Sequence, residues 1–187
     1  MTNVLVFGKT GQLASELFER KNASFTFLSK DEFEPGNEHA LEKRISIIRP
    51  TVIVNCAAYT AVDKAEADEA AAYELNSTFV STLAKLSAKV DAHLVHFSTD
   101  YVFDGLSNSP YVEDQPTGPR SVYGKSKLLG EQAVFANAKS ATIFRTSWVY
   151  SKYGANFVKT MIRLANADKP LRVVADQFGT PTSAGFI

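Results

Sequence analysis

The chain has 187 residues, 45% of them hydrophobic and 21% charged, which suits one domain with a substantial core. Twenty basic residues balance twenty acidic ones, which argues against a basic nucleic-acid groove and against an acidic tail. Apolar runs fall far short of the roughly 20 residues a membrane helix needs. The start, "MTNVLVFGKTG", lacks the charged region and cleavage site of a signal peptide. One cysteine, Cys56, cannot close an internal disulfide, and no Cys/His cluster has zinc spacing. The expectation is a cytoplasmic enzyme or binding domain, with no nucleic-acid and no membrane partner.

In chain order, "NVLVF" (Asn3 to Phe7) is a continuous β-branched apolar run and predicts a buried strand. "GKTGQLASELFER" follows, with Leu13, Leu17 and Phe18 at helical spacing. "SFTFL" (Ser24 to Leu28) predicts a second strand. Leu41, Ile45 and Ile48 mark a helix that stops before Pro50. "TVIVN" (Thr51 to Asn55) predicts a third strand, and Ala65 to Leu75 and Phe79 to Ala88 predict alanine-rich helices. "HLVHFS" (His93 to Ser98) predicts a fourth strand, and Val102 to Pro119 a loop. Val122 to Ala138 predicts a helix, "ATIFRT" (Ala141 to Thr146) a strand, Phe157 to Ala167 a helix and "LRVV" (Leu171 to Val174) a strand. Strands alternate with helices. The expected fold class is therefore α/β: a Rossmann-type, doubly wound parallel sheet with helices on both faces, in one dinucleotide-binding domain over residues 1–187.

Gly8-Lys9-Thr10-Gly11-Gln12-Leu13-Ala14 joins the first strand to the first helix as G-x-x-G-x-x-A. Gly8 permits a tight turn, Gly11 lets the backbone approach a pyrophosphate, and Ala14 lets the helix pack closely on the sheet. The helix N-terminus then aims its N–H groups at the phosphates. An acidic residue some 20 positions on would bind the ribose 2′-hydroxyl of NAD(H). Here the second strand ends in "FLSKDE", with Ser29 and Lys30 at the telling place. A hydroxyl and an ammonium suit a 2′-phosphate, so NADP(H) is preferred over NAD(H).

"SVYGKSK" puts Tyr123 and Lys127 four apart, on one face of a helix. A free tyrosine has a pKa near about 10. A neighbouring ammonium lowers it and makes the phenol a usable acid/base. Gly124 and Ser126 leave room between them. Thr99, with Ser98 and Asp100, follows the fourth strand at its carboxyl end, where ligands sit in open parallel sheets. Its hydroxyl can hydrogen-bond a substrate oxygen. A bare Y-x-x-x-K pair is usually an exposed helix face; the coincidence with the glycine turn and Thr99 argues otherwise.

"GKTGQL", "VNCAAYTAVDKAEAD", "STDYVFDG", "YGKSKLLGE", "FRTSWVY", "NFVKTMIRLA" and "DQFGTPT" together resemble the dTDP-4-dehydrorhamnose reductases, a family of extended short-chain dehydrogenases/reductases, from about residue 3 to about residue 183. The resemblance implies reduction of the 4-keto group of dTDP-6-deoxy-L-lyxo-4-hexulose to dTDP-L-rhamnose by NADPH or NADH. It implies that Tyr123 is the proton donor, that Lys127 lowers its pKa and holds the nicotinamide ribose, and that Thr99 bonds the carbonyl oxygen. Gly11, Gln12 and Leu13 would line the pyrophosphate, beside Gly8 and Thr10. Ala57, Ala58, Tyr59 and Thr60 would line the adenosine side. Asp100 and Trp148 match positions that contact the nucleotide sugar. Magnesium and a homodimer are implied by the resemblance alone; no metal ligand is assigned. Ala14 stands where the family has glycine. Family members continue well past "DQFGTPT", into the part that supplies most of the sugar pocket, so the chain is expected to bind NADP(H) and to turn over dTDP-sugar slowly or not at all.

Cys56 reads as a small buried hydrophobe, and His93 and His96, on one strand, as core or edge residues rather than metal ligands. His39 and the charges from Asp63 to Glu69 read as solvated. Two other readings stand beside the reductase: a nucleotide-sugar epimerase or dehydratase with tightly held NAD, for which Asp100 next to Thr99 would be the acid, and a non-catalytic regulatory protein on the same fold. The intact Tyr123, Lys127 and Thr99 favour the enzyme, although fold by itself does not decide function.

Overall fold

A computed structural model describes residues 2–21, 24–166 and 173–187 of the chain. Five strands form one parallel sheet: β1 (Val4–Phe7), β2 (Phe25–Leu28), β3 (Val52–Asn55), β4 (His93–Thr99) and β5 (Ala141–Thr146). Their order across the sheet is β2-β1-β3-β4-β5. β1 pairs with β2 on one side and β3 on the other, so all four of its residues are buried. That double burial is why "VLVF" shows no polar alternation. The strand order reverses between β1 and β3, and such a reversal opens a crevice at the carboxyl ends of the strands.

Helix α1 (Gln12–Arg20) lays Ala14 and Leu17 against Val4, Val6 and Val54 on one face. Helices α2 (Glu38–Ile48), α5 (Phe79–Lys89) and α6 (Val122–Asn137) cover the other. There Leu41, Ile45, Leu83 and Val134 close over Leu5, Phe7, Ile53 and Leu94. α2 ends at Arg49 in the left-handed region (φ 49°), immediately before Pro50. The doubly wound arrangement expected from the alternating pattern is thus present.

The helix expected over Ala65–Leu75 is interrupted. A single turn, α3 (Val62–Ala65), is followed by a break, and α4 (Glu69–Tyr73) then runs through a π-helical turn (Glu74–Thr78) into α5. The break has a purpose in the packing: Glu66 Oε1 accepts the N–H of Val122 at 2.8 Å and Ser121 Oγ accepts the N–H of Gly124 at 3.0 Å, so two first-turn amides of α6 are satisfied from outside the helix. Glu66 is therefore more than a solvated charge. The widened turn buries Asn76, whose amide accepts from Tyr59 N (2.9 Å) and donates to Tyr59 O (3.0 Å) and Ser126 Oγ (3.0 Å). One side chain thereby ties the loop after β3 to α6.

Helix α7 covers Phe157–Ala165; Ala167, which closed the expected helix, lies outside the described residues. Of the strand expected at Leu171–Val174, Leu171 and Arg172 also lie outside them, and Val173 and Val174 carry no regular structure. Instead a two-residue strand, β6 (Val149–Tyr150), pairs in parallel with β7 (Thr182–Ser183), a pair too short to leave a periodic signal. Removing the Asn76 amide leaves both main-chain groups of Tyr59 without partners. Asn76→Ala is expected to lower unfolding stability by about 1–3 kcal/mol in urea denaturation.

Candidate active site

A cleft of about 600 Å³ opens at the carboxyl ends of the strands. Its walls are the β1–α1 turn (Thr10, Gly11, Gln12, Leu13), the exit of β3 (Asn55, Cys56, Ala58, Thr60), the exit of β4 (Ser98, Thr99, Asp100, Tyr101), the buried face of α6 (Tyr123, Lys127) and the exit of β5 (Ser147, Trp148).

The glycine turn is shaped by close approach. Gly8 has φ +88°, and a Cβ there would stand 2.7 Å from the amide nitrogen of Ala57. The N–H groups of Gly8 and Lys9 both donate to Leu28 O, at 3.0 and 3.1 Å, which fastens the turn to the end of β2. The N-cap of α1 is Gly11, which brings no side-chain acceptor, and no acidic residue stands in the first turn. The start of α1 thus presents uncapped amides and the positive end of the helix dipole to the cleft. The Gln12 side chain turns to the rim instead, donating to Val149 O (3.4 Å) and accepting from Asn156 Nδ2 (2.9 Å).

On the opposite wall, Tyr123 and Lys127 share the buried face of α6 and are 9% and 2% exposed. The Lys127 ammonium donates to Phe97 O at 2.6 Å, one residue beyond the last β3–β4 pair, Asn55 with His96. Burial brings its pKa down to about 8, against an opposing pull from Glu131. Burial pushes the Tyr123 phenol's pKa up; the Thr99 hydroxyl opposes that rise, while Asp100 and Tyr101 add to it. The four-residue spacing predicts that Lys127 lowers the phenol's pKa. Here desolvation outweighs every charge, and the phenol is held in its protonated form. Gly124 and Ser126 are small for a different reason than the expected clearance. A Cβ at 124 would fall 2.3 Å from Tyr101 O, and Ser126 carries the bond to Asn76.

Thr99 Oγ1 accepts from the N–H of Tyr101 (3.2 Å) and donates to Asp100 Oδ1 (3.1 Å), while Asp100 Oδ2 accepts from Ser147 Oγ (2.8 Å). Both oxygens of Asp100 are therefore engaged. Trp148 sits at φ 46°, a left-handed conformation that is unusual for a bulky residue, and its half-exposed indole lines the cleft.

A polar layer backs this wall. Asn55 Oδ1 accepts from the N–H of Ala57 (3.1 Å), so its Nδ2 is the donor to His96 Nδ1 at 3.2 Å. That assignment makes His96 neutral, with its proton on Nε2. Burial first, and then the Lys127 ammonium, hold its pKa well below the usual histidine value. His93 faces the other way, against Ser140 Oγ and Thr142 Oγ1. Glu131, 1% exposed, receives Arg145 through two bonds of 2.9 and 2.7 Å. Arg145 in turn donates to Glu113 O and lies 4.9 Å from the centre of the Phe103 ring, which ties the long loop after β4 to the back of the site.

Of the residues singled out from sequence, Thr10, Gly11, Gln12, Leu13, Ala58, Thr60, Thr99, Asp100, Tyr123, Lys127 and Trp148 line one cleft. Gly8 and Ala57 pack behind the turn, and Tyr59 points its hydroxyl to Asp68 (3.3 Å). Ser29 and Lys30 lie at the end of β2, outside the cleft lining. Cys56 does line the cleft, and burial pushes its thiol up to about 12, so it stays protonated. Ser98, which the sequence places with Thr99 and Asp100 at the end of the fourth strand, also lines the cleft. No motif assigns a role to Asn55, Ser147, Glu131 or Arg145: the first two stand at strand carboxyl ends, a positional signal that was available, whereas the Glu131–Arg145 pair left no local one.

A family model described as the RmlD substrate binding domain matches residues 1–187. Sequence relatives include dTDP-4-dehydrorhamnose reductases of Sinorhizobium fredii, 48% identical over 97% of this chain, and of Shigella flexneri, 44% identical over 99%. The chain spans 62% and 64% of those two proteins' lengths. The crystal structure of dTDP-4-dehydrorhamnose reductase from Bacillus anthracis in complex with NADP matches with a TM-score of 0.95 and 41% identity, over 98% of this chain and 67% of that one. That of the Clostridium acetobutylicum reductase matches with a TM-score of 0.94 and 41% identity, over 98% of this chain and 66% of that one. With the family model matching residues 1–187 and the same fold carried by these relatives, the chain belongs to the RmlD substrate binding domain family.

Proposed function

We propose that the cleft binds NAD(P)H and that the reaction it serves is reduction of the 4-keto group of a dTDP-4-keto-6-deoxy sugar, dTDP-6-deoxy-L-lyxo-4-hexulose, to dTDP-L-rhamnose. The observation that carries this reading is the placement of Thr99, Tyr123 and Lys127 on one wall, facing an uncapped helix N-terminus on the other. The names of the relatives, and the NADP in the Bacillus anthracis reductase, support it.

The residues present fit a dinucleotide. The start of α1 offers amides to a pyrophosphate, Gly11 at its N-cap brings no side chain into the way, and Gly8 lets the turn close against Ala57. Ala58 and Thr60, on the loop that also carries Ala57 and Tyr59, line the adenosine side. Ser29 and Lys30 stand at the ribose end, and NADP(H) is the preferred form. When bound, the nicotinamide supplies the hydride. Tyr123, kept protonated by burial, holds the proton that the developing alkoxide takes. Thr99 orients the carbonyl oxygen. Lys127 holds the nicotinamide ribose and offsets the negative charge that appears on Tyr123 once its proton has gone. Asp100, clamped by Thr99 and Ser147, and the indole of Trp148 face the sugar nucleotide.

The place of action is the cytoplasm; among the described residues no helix is long and apolar enough to cross a membrane. A homodimer and bound magnesium rest on the family resemblance. Among the described residues no group of three or more His, Cys, Asp or Glu is arranged to hold a metal.

Fluorescence titration of the 187-residue chain should show NADPH and NADH binding. Tyr123→Phe should bind both within about threefold of wild type while any hydride transfer falls by about 100-fold or more. Absence of NADPH binding at millimolar concentration would overturn the cofactor reading. Lys127 gives a second test. Its folded pKa, about 8, lies below its unfolded value, so the buried charge destabilises the fold fully below pH 8. Between about pH 8 and 10.5 the unfolded chain holds more protons than the folded one, and wild-type stability rises with pH through this contribution. Lys127→Met is therefore expected to be more stable than wild type at about pH 7, by on the order of 1–3 kcal/mol, and to lose that advantage towards about pH 10 in urea denaturation, while binding NADPH more weakly.

A further inference from the structure

After the left-handed turn at Trp148 the chain runs out along β6, and the segment from Gly179 to Ala184 returns beside it. The Thr182 N–H donates to Trp148 O at 3.3 Å, and the Ala184 N–H donates to Tyr150 O at 2.9 Å. Thr182 Oγ1 also donates to Thr180 O at 3.1 Å. On the other side, Ser147 is fixed to Asp100 at 2.8 Å. These bonds hold the Trp148 backbone at φ 46°, which a bulky residue keeps only when its surroundings enforce it. The ring is held separately. A Cβ on Gly179 would stand 2.6 Å from Cε2 of the Trp148 indole, 2.7 Å from Nε1 and 3.0 Å from Cδ2. Three neighbouring ring atoms at such similar distances place Gly179 over the flat of the ring, not at its edge. The glycine backbone thus covers one face of the indole, while the ring, 46% exposed, lines the cleft. Gly179 is not among the glycines with positive φ, so the backbone there does not demand glycine; the ring does.

We propose that Gly179 is a positioning residue: its bare backbone sets the plane of the Trp148 indole, and with it the face that this ring turns to the sugar nucleotide. The inference rests on the reading above in which Trp148 faces that ligand. A base or the apolar side of a sugar ring packs on an aromatic face, so the tilt of the ring decides how much contact forms. A methyl group at position 179 needs about 3.5 Å from the ring atoms, so the two must separate by roughly 1 Å. The segment carrying Gly179 is bonded to β6, which leaves the half-exposed indole as the part that yields, into the space a ligand would take.

Trp148 is the only tryptophan of the chain, so tryptophan emission and the indole N–H resonance report on this ring alone. In Gly179→Ala the resonance should move and acrylamide quenching of the emission should change by about twofold; dTDP-L-rhamnose should bind about tenfold more weakly, with NADPH within about twofold of wild type. Phe178→Ala removes a neighbouring side chain that is 96% exposed, and should change none of these. Trp148→Phe supplies a second background. Phenyl lacks the pyrrole atoms that Gly179 meets, so adding Gly179→Ala to it should weaken dTDP-L-rhamnose binding by no more than about twofold. Thermal melting checks folding; should the single variant unfold, the double variant should fold, since the clash is gone. The positioning role is overturned, with the reading of Trp148 intact, by any of three results: Gly179→Ala leaves resonance and quenching as in wild type, or leaves dTDP-L-rhamnose affinity within about twofold, or costs as much beside Phe as beside Trp. If wild type does not bind dTDP-L-rhamnose, or Trp148→Phe binds it as tightly as wild type, the reading of Trp148 falls and takes this inference with it.

Discussion

A lysine ammonium taken almost wholly out of water needs acceptors supplied by the fold, and Lys127 is such a group. It is 2% exposed and spends one hydrogen on Phe97 O, just past the point where β3 stops pairing with β4. The acceptor is left over by sheet topology, and the donor arrives on a helix that crosses above it. Desolvation lowers the pKa of the lysine and raises that of its neighbour Tyr123, so each is moved towards its uncharged form. Around them stand a neutral histidine, fixed in one tautomer by Asn55, and a carboxylate whose charge is taken up by Arg145. The back of the cleft is thus a dry, polar layer in which almost every charge has a named partner.

Holding that layer requires α6 to lie very close to its neighbours. The helix meets the segment after β4 at Gly124, where there is no space for a side chain. It is tied to the loop after β3 through Ser126 and Asn76, and its first amides are capped by Ser121 and Glu66. Apart from the local Ser121 cap, these contacts join segments far apart in the chain. The position of Tyr123 relative to Thr99 is therefore a property of the whole domain. Such precision is what proton transfer needs, since the donor must lie within hydrogen-bond reach of the atom it serves.

Much of this was legible in the residues. Continuous β-branched runs such as "VLVF" specify strands buried on both faces, and the G-x-x-G-x-x-A turn specifies a close backbone approach, because both depend on local sterics and burial. Four-residue spacing was enough to put Tyr123 and Lys127 on one helix face. What the sequence could not determine was the sign of the phenol's pKa shift, since that depends on how deeply tertiary packing buries it, and spacing suggested the opposite. Nor could it show the break at Glu66, the inward turn of Asn76 or the Glu131–Arg145 pair, because in each a side chain meets a residue more than a dozen positions away that only the fold brings close, and no local pattern encodes such a partner.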